Sequence, residues 1–432
     1  MRKRWKAAAA TLLIAALCIS GCSSSGSKKD QRAEITMLIG KEEIAKELDE
    51  TVKKYNETQD KYNVKILPLA GQNANEKLTT LYASKNAPVL IHAGAYEDLG
   101  QWKDKFLDLS DMPLVKGIDQ QYLDAGTVDG KLIGIPATIE AFGYLYNKDV
   151  LDEAVGGEFQ KSSVKSRKDF KDLMDQVQAL EGKKAIEISP MDWSLGAHFS
   201  NLLFTAQSED AAKREEFMNE MKAGTVRLIE NSVFNQWVDT FDIMKEYNKA
   251  KDAALSADYD SATLALANGD IGIWFMGNWA YLQLMSANPE ANIGIMPVPM
   301  SEDASGYGNE QISIGIPQTW GIDGEQSSQE QQEGAKDFLN WLYEDEVGQD
   351  YYVNKLGFIP VSKSNKAEPE DELSKEVLQY LKDGKSLEWM NSHYPPTAYP
   401  AMGASIQKYL DNKITREELA SEIEDYWKTG AR

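Results

Sequence analysis

The chain is poor in the residues that most metal and redox chemistry needs. Its 432 residues include two cysteines, Cys18 and Cys22, and three histidines, His92, His198 and His393. That supply excludes zinc fingers, iron–sulfur clusters and a disulfide framework. Positive charge is also short: Lys plus Arg number 46 against 68 Asp plus Glu, a formal charge of −22. A polyanion-binding surface needs the opposite balance, so no nucleic-acid partner is expected. Nucleotide and nucleophile motifs are missing, with no G-x-G-x-x-G, no Walker pattern and no G-x-S-x-G elbow. The sequence therefore names no catalytic residue, no metal and no cofactor, and no enzyme is expected. What it does have is 42% apolar and 26% charged residues. That mixture supports a globular body, and the length suggests two lobes rather than one core.

Long apolar runs are nearly absent. The one notable stretch, Ala7–Ile19, follows Arg2, Lys3, Arg4 and Lys6. It is shorter than the ~20 residues of a membrane-spanning helix and fits the core of a signal peptide. The stretch ends in Ile19-Ser20-Gly21-Cys22, which resembles the lipobox of bacterial lipoproteins. Residues 1–21 are expected to be a signal peptide, Cys22 the lipidated residue, and 22–32 a flexible polar tether. The body is then expected at a cell membrane, held by its N-terminal lipid on the extracytoplasmic side.

Strand and helix patterns alternate in the body. Glu34–Ile39 reads as a strand, and Ile44, Leu48, Val52 and Tyr55 follow on one helical face. Val64–Leu69 is a strand, Asn75–Ser84 a helix and Val89–His92 a short buried strand. This βαβαβ opening predicts a parallel sheet covered by helices. Further helical faces come from Phe170, Leu173, Met174 and Val177, and from Phe234, Trp237, Phe241 and Met244. Ile271–Met276 reads as a strand stopped by Gly277. Phe338, Leu339, Leu342 and Tyr343 line another helix. Thr415 to Glu418 is a capping box opening a last one. Lys363–Glu372 reads as a surface loop.

Several weaker patterns carry little. Ser162-x-x-Lys165 lies in a polar stretch and reads as surface. Asp258-Tyr259-Asp260 starts like a calcium loop but lacks Gly at its sixth position and Glu at its twelfth. Tyr351-Tyr352 ends a helix, where one ring packs inward, so an iron-binding pair is disfavoured. The abundant acids leave a glycosidase pair open by residue type, but nothing selects two of them.

The aromatic residues are more informative. Ten Trp, 19 Tyr and 12 Phe make up 9% of the chain. Trp237, Trp274, Trp341 and Trp427 lie on helix or strand stripes and read as core. Others lie beside Gly or Pro at the ends of elements: Ser189-Pro190-Met191-Asp192-Trp193, Gly277-Asn278-Trp279, and Tyr394 to Pro400. Ligands of open α/β lobes bind beyond the carboxyl ends of strands. Flat rings there suit the C–H face of a sugar, with neighbouring Asp, Glu and Asn bonding its hydroxyls.

Four segments, in order, carry a resemblance. They are Asp129-Gly130-Lys131-Leu132-Ile133-Gly134-Ile135-Pro136 with Tyr146-Asn147-Lys148-Asp149; Ala267–Trp274 leading to Gly277-Asn278-Trp279; Pro297-Val298-Pro299 with Ile314–Pro317; and Gly357-Phe358-Ile359-Pro360. Together they resemble the family 1 extracellular solute-binding proteins of bacterial ATP-binding-cassette (ABC) sugar importers, of the maltose-binding type. The resemblance implies an α/β, two-lobed, periplasmic-binding-protein-like type II fold, each lobe a sheet flanked by helices, joined by a hinge of chain crossings. It places residues 33–139 and 304–352 in the N-terminal lobe, and 140–303 and 353–432 in the C-terminal lobe. The crossings are expected near Pro136–Phe142, Met300–Gly308 and Tyr351–Phe358. The implied partners are a small carbohydrate and ABC permease subunits, with the protein itself a monomer. Implied ligand contacts are Trp279, Trp193, Asp192, Asn278 and Tyr399 on one lobe. On the other they are Lys41, Gln72, His92 and Tyr96, beside Glu42 and Asn73 at the same rim. Glu140 faces the cleft from the hinge, either as a hydroxyl acceptor or in an ion pair. The segment His92-Ala93-Gly94-Ala95 departs from the maltose-binding pattern, which argues against maltose itself but not against carbohydrate. The alternatives are a binding lipoprotein for a non-sugar solute and a secreted glycoside hydrolase.

Overall fold

The computed structural model describes residues 31–70, 73–395 and 397–430. The expected signal peptide, Cys22 and most of the tether lie outside the described residues, as does Gln72. Among the described residues, no helix is long and apolar enough to cross a membrane. The strands, in chain order, are β1 (Ala33–Leu38), β2 (Tyr62–Leu67), β3 (Leu90–Gly94), β4 (Thr127–Val128), β5 (Lys131–Leu132), β6 (Ile135–Pro136), β7 (Glu140–Asn147), β8 (Lys184–Glu187), β9 (Ile271–Gly277), β10 (Ile293–Met296), β11 (Ile312–Gly315), β12 (Gln318–Ile322) and β13 (Ser386–Glu388).

The first lobe is built on the sheet β2-β1-β3-β12-β6. β1 pairs in parallel with β2 and β3, and β12 closes against β3 and β6 in antiparallel register. The helix Ala45–Thr58 carries the chain from β1 to β2, burying Leu48, Thr51, Val52 and Tyr55. The helix Ala74–Ala83 links β2 to β3, its N-terminus capped by Asn73. This is the expected βαβαβ opening.

The second lobe is built on the sheet β13-β11-β7-β9-β8, with β10 also on β7. All eight residues of β7 are buried. Successive side chains of a strand point to opposite faces. Ala141 and Leu145 accordingly join one apolar cluster, and Phe142, Tyr144 and Tyr146 the other. Helices cover both faces. Arg167–Gln178 opens with a Ser166–Asp169 capping box, and Arg416–Thr429 with the expected Thr415–Glu418 box.

The chain passes between the lobes through three neighbouring segments. Ala137–Ile139 joins β6 to β7, within the expected first crossing. The other two lie elsewhere than the sequence places them. β11 pairs with β7 and β13, so Ile312–Gly315 belongs to the second sheet. The second crossing is then the Ile316–Pro317 step, not Met300–Gly308. After the helix Glu346–Asp350 and a π-helical turn Tyr351–Lys355, the chain stays with the first lobe. Phe358 packs edge-on to Tyr352, Ile359 bridges Ile139, Ser362 bridges Ile118, and the Gln349 amide donates to the Ser364 carbonyl at 3.2 Å. The third crossing follows, ahead of the helix Glu372–Lys382, which packs on β10.

Hydrogen bonds involving hydroxyl groups tie the first crossing to the first lobe. Tyr343 donates to the Pro136 carbonyl and Tyr352 to the Ala137 carbonyl, both at 2.6 Å. The Ile359 N–H donates to Thr138 Oγ1 at 3.0 Å. Tyr352 is thus a hinge residue whose hydroxyl is already committed.

Candidate functional site

Between the lobes lies a cleft of about 970 Å³. That is at the upper end of the range for small-molecule sites. Its second-lobe wall is aromatic. Trp279 sits in a short turn after β9, where Gly277 makes room for it: a Cβ on Gly277 would lie 2.0 Å from the indole. Trp193 begins a π-helix, Trp193–Phe199. The i→i+5 spacing of that helix brings His198 beside Trp193, with ring centroids 5.5 Å apart. His198 in turn lies 5.0 Å from Trp279 and 5.5 Å from Trp389, and Trp193 meets Trp279 edge-on at 6.1 Å. Tyr259 and Tyr399 extend the wall.

The first-lobe wall is polar: Lys41, Glu43, Asn73, Asn75, His92 and Asp98. The floor is the hinge, with Glu140, Pro317 and Gln318. Lys41 Nζ bonds Glu140 Oε1 at 2.7 Å and Glu43 Oε1 at 2.8 Å. Burial alone would lower the Lys41 pKa, but the two carboxylates outweigh it and hold the ammonium well above its ordinary range. Among the described residues, contacts that join the lobes around the cleft include Lys41 with Glu140, the Gln283 amide donating to the Glu43 carbonyl, and the ring of Tyr96 on His393 at 4.7 Å.

Of the sequence-predicted residues, Lys41, His92, Glu140, Trp193, Trp279 and Tyr399 line this one cleft. Three others do not. Asn278 is buried and its Oδ1 accepts the Ala141 N–H at 2.8 Å, so it braces the hinge strand. Asp192 is exposed and accepts from Gln407 Nε2 at 3.2 Å. Tyr96 is spent on the ring of His393. Sequence reading also missed His198, Tyr259, Asp98, Trp389 and Asn391. Trp389 directly follows β13, so the strand-end rule that selected Trp279 would have selected it too.

Buried polar atoms without a partner among the described residues concentrate here. They are both ring nitrogens of His92, the Tyr259 hydroxyl, Gln283 Oε1, Gln318 Oε1, Trp389 Nε1 and Asn391 Oδ1. An unmade buried hydrogen bond costs about 1–3 kcal/mol. This set of donors and acceptors is therefore paired most favourably by a ligand rich in hydroxyls. Among the described residues, no three His, Cys, Asp or Glu side chains gather as a metal cage requires.

The two cleft histidines make a pH prediction. Burial first, then the Lys41 charge, lowers His198 to about 3 and His92 well below its ordinary value. Both are neutral when folded, whereas the unfolded chain protonates them near pH 6.5. Their contribution is complete above that pH and is lost as pH falls toward the folded value. Stability should drop by up to about 1.4 kcal/mol per pH unit for each ring. Thermal midpoints taken from neutral to about pH 5 should show this. His198→Phe, which keeps the stack on Phe142, should flatten the slope, and an unchanged slope would contradict the assignment.

Residues 50–378 match the sequence profile of a family described as bacterial extracellular solute-binding protein. The maltodextrin-binding protein MdxE of Bacillus subtilis is 30% identical over 156 residues, a match spanning 36% of this chain and 36% of that protein. The multiple sugar-binding protein of Streptococcus mutans is 20% identical over 302 residues, covering 68% of this chain and 69% of that one. The solved structure of RafE in complex with raffinose superposes with a TM-score of 0.77 at 19% identity, covering 93% of this chain and all of that one (100%). Likeness at that identity carries the two-lobed α/β fold.

Proposed function

Because the chain belongs to the bacterial extracellular solute-binding proteins, we propose that it captures an oligosaccharide in the interlobe cleft and delivers it to an ABC permease. The observation that carries this reading is the lining of the cleft: indole faces on one lobe, and unpartnered hydrogen-bonding groups on both lobes and in the hinge. A sugar presents C–H surface to the first and hydroxyls to the second. The relatives named above support it, being named for maltodextrin, multiple sugars and raffinose. The ligand is bound and released unaltered.

Closure follows from the contacts. The ligand favours the closed form by its extra affinity for that form, since only there do both walls reach it. Glu140 acts in the hinge, paired with Lys41, rather than as a free hydroxyl acceptor. We further read the chain as a monomeric lipoprotein, processed at Gly21–Cys22 and anchored by lipid on Cys22. The n-region, apolar run and lipobox of the first residues support this.

The test is a thermal-shift panel of mono- and oligosaccharides, with amino acids and polyamines as controls. Ligand at a hundred times its Kd should add about 2.7 kcal/mol of stability. A neutral oligosaccharide should raise the midpoint and be recovered intact. A shift with amino acids or polyamines alone overturns the carbohydrate reading, and release of new reducing ends overturns the binding role.

A further inference from the structure

We infer that the cleft selects neutral or amine-bearing oligosaccharides and rejects anionic ones, with Asp98 as the specificity-determining residue. The inference rests on the carbohydrate reading above and deepens it. Five carboxylates line the cleft, those of Glu42, Glu43, Asp98, Glu140 and Asp260. Against them stands Lys41, the one Lys or Arg among the described residues of the lining, and both Glu140 and Glu43 already hold it. A uronate, sulfate or phosphate entering this space meets no free cation. Recognition of such groups is the work of Arg and Lys. The aromatic wall has the same bias, because ring faces attract positive charge.

Asp98 is the acid best placed to read the ligand. It is half-buried in the short helix Glu97–Gly100 that follows β3, and its carboxylate has no hydrogen-bond partner among the described residues. Gly94 provides its seat: a Cβ at 94 would lie 2.6 Å from Asp98 Oδ2. Burial, and then the charge of Glu97, raises its pKa, the condition of a carboxyl short of donors. Burial first and the Asp98 charge second also push up the phenol of Tyr399, which lies on the opposite wall. Beside it in the lining, His92 is 5% exposed with both nitrogens unpartnered, an independent sign that a polar ligand group is received here. An ammonium or hydroxyl donates to Asp98, whereas a carboxylate can only repel it.

The experiment is calorimetric titration of the full chain with raffinose, maltotriose and chitotriose. Each neutral parent is compared with analogues bearing an amine or a carboxylate at C6 of the terminal units. For a parent that binds, the carboxylate form should bind about tenfold more weakly or worse, and the amine form as tightly or more so. Added salt should narrow the gap. Asp98→Asn should shrink the amine-to-carboxylate ratio by about tenfold, whereas Glu417→Gln, exposed on the helix Arg416–Thr429 and outside the cleft lining, should leave it unchanged. A parent that binds no better than its carboxylate form overturns the inference while leaving the carbohydrate reading intact. An unaltered ratio in a folded Asp98→Asn protein overturns the role of Asp98. The wild-type charge series and its salt dependence decide the selectivity even if the variant does not fold. Failure of every parent and every analogue to bind overturns the carbohydrate reading with it.

Discussion

Trp279→Ala should weaken oligosaccharide binding by about 2–4 kcal/mol, a loss of roughly thirtyfold to a thousandfold in affinity. The indole is half-buried in the centre of the aromatic wall, against Trp193, His198 and Trp389. Truncation removes a face for the sugar and also loosens the three rings that lean on it. Part of the cost is structural, because Trp279 also packs against the apolar clusters on both faces of β7. Two measurements separate the terms. The thermal midpoint of the unliganded variant reads the structural part. Trp279→Phe, which keeps a flat face, should restore most of the affinity. Gly277→Ala provides a third, because its methyl would displace the ring without removing it. Its affinity should fall in the same direction as that of Trp279→Ala. A Trp279→Ala protein with unchanged affinity for the sugar that wild type binds would remove the aromatic wall from the site.

What was legible in the sequence follows how local the determining forces are. The helix Ala45–Thr58 and the Thr415–Glu418 cap depend on residues within one or two turns of each other, and the sequence displays them directly. β11 was misplaced because a short apolar strand reads the same in either sheet. Its membership is decided by β7 and β13, one far upstream and the other far downstream. The third crossing was misplaced for a related reason. Ile359 and Ser362 are held to the first lobe by bridges to Ile139 and Ile118, which no local pattern announces.

The site divides in the same way. Trp193 and Trp279 stand out because each follows a strand and neighbours Gly or Pro. His198 was invisible, since the i→i+5 turn that brings it to Trp193 has no signature in a 3.6-residue periodicity. Asn278 misled by adjacency. It sits next to a wall tryptophan, but its amide answers a backbone donor on β7. Asp98 was missed because nothing in one sequence distinguishes a carboxylate that lacks a partner from the many that are solvated.

Lys41→Met should cost about 3–5 kcal/mol of folding stability, more than any other single change to the polar wall. Lys41 is 6% exposed, between two carboxylates, one on the hinge strand and one on its own segment. Removing it leaves Glu140 buried beside Glu43 with no counter-charge, and that uncompensated charge is the source of the penalty. The pH dependence follows from the sign of the shift. The folded pKa of Lys41 lies above its unfolded value near 10.5, so its contribution is complete throughout the neutral range and is lost only as pH rises past that point. A neutral-pH denaturation experiment therefore sees the whole effect. The double variant Lys41→Met/Glu140→Gln removes the stranded charge and should recover a large part of the loss, giving a strong coupling in the double-mutant cycle. Glu43→Gln, in contrast, leaves the Lys41–Glu140 pair intact and should cost much less. Because this pair joins the end of β1 to the start of β7, the double variant should regain stability without regaining full ligand affinity. Its hinge has lost the ion pair that fixes one lobe against the other. Full recovery of both would make the pair a passive element of the core, and additive single-variant costs would show that the two charges do not act on each other.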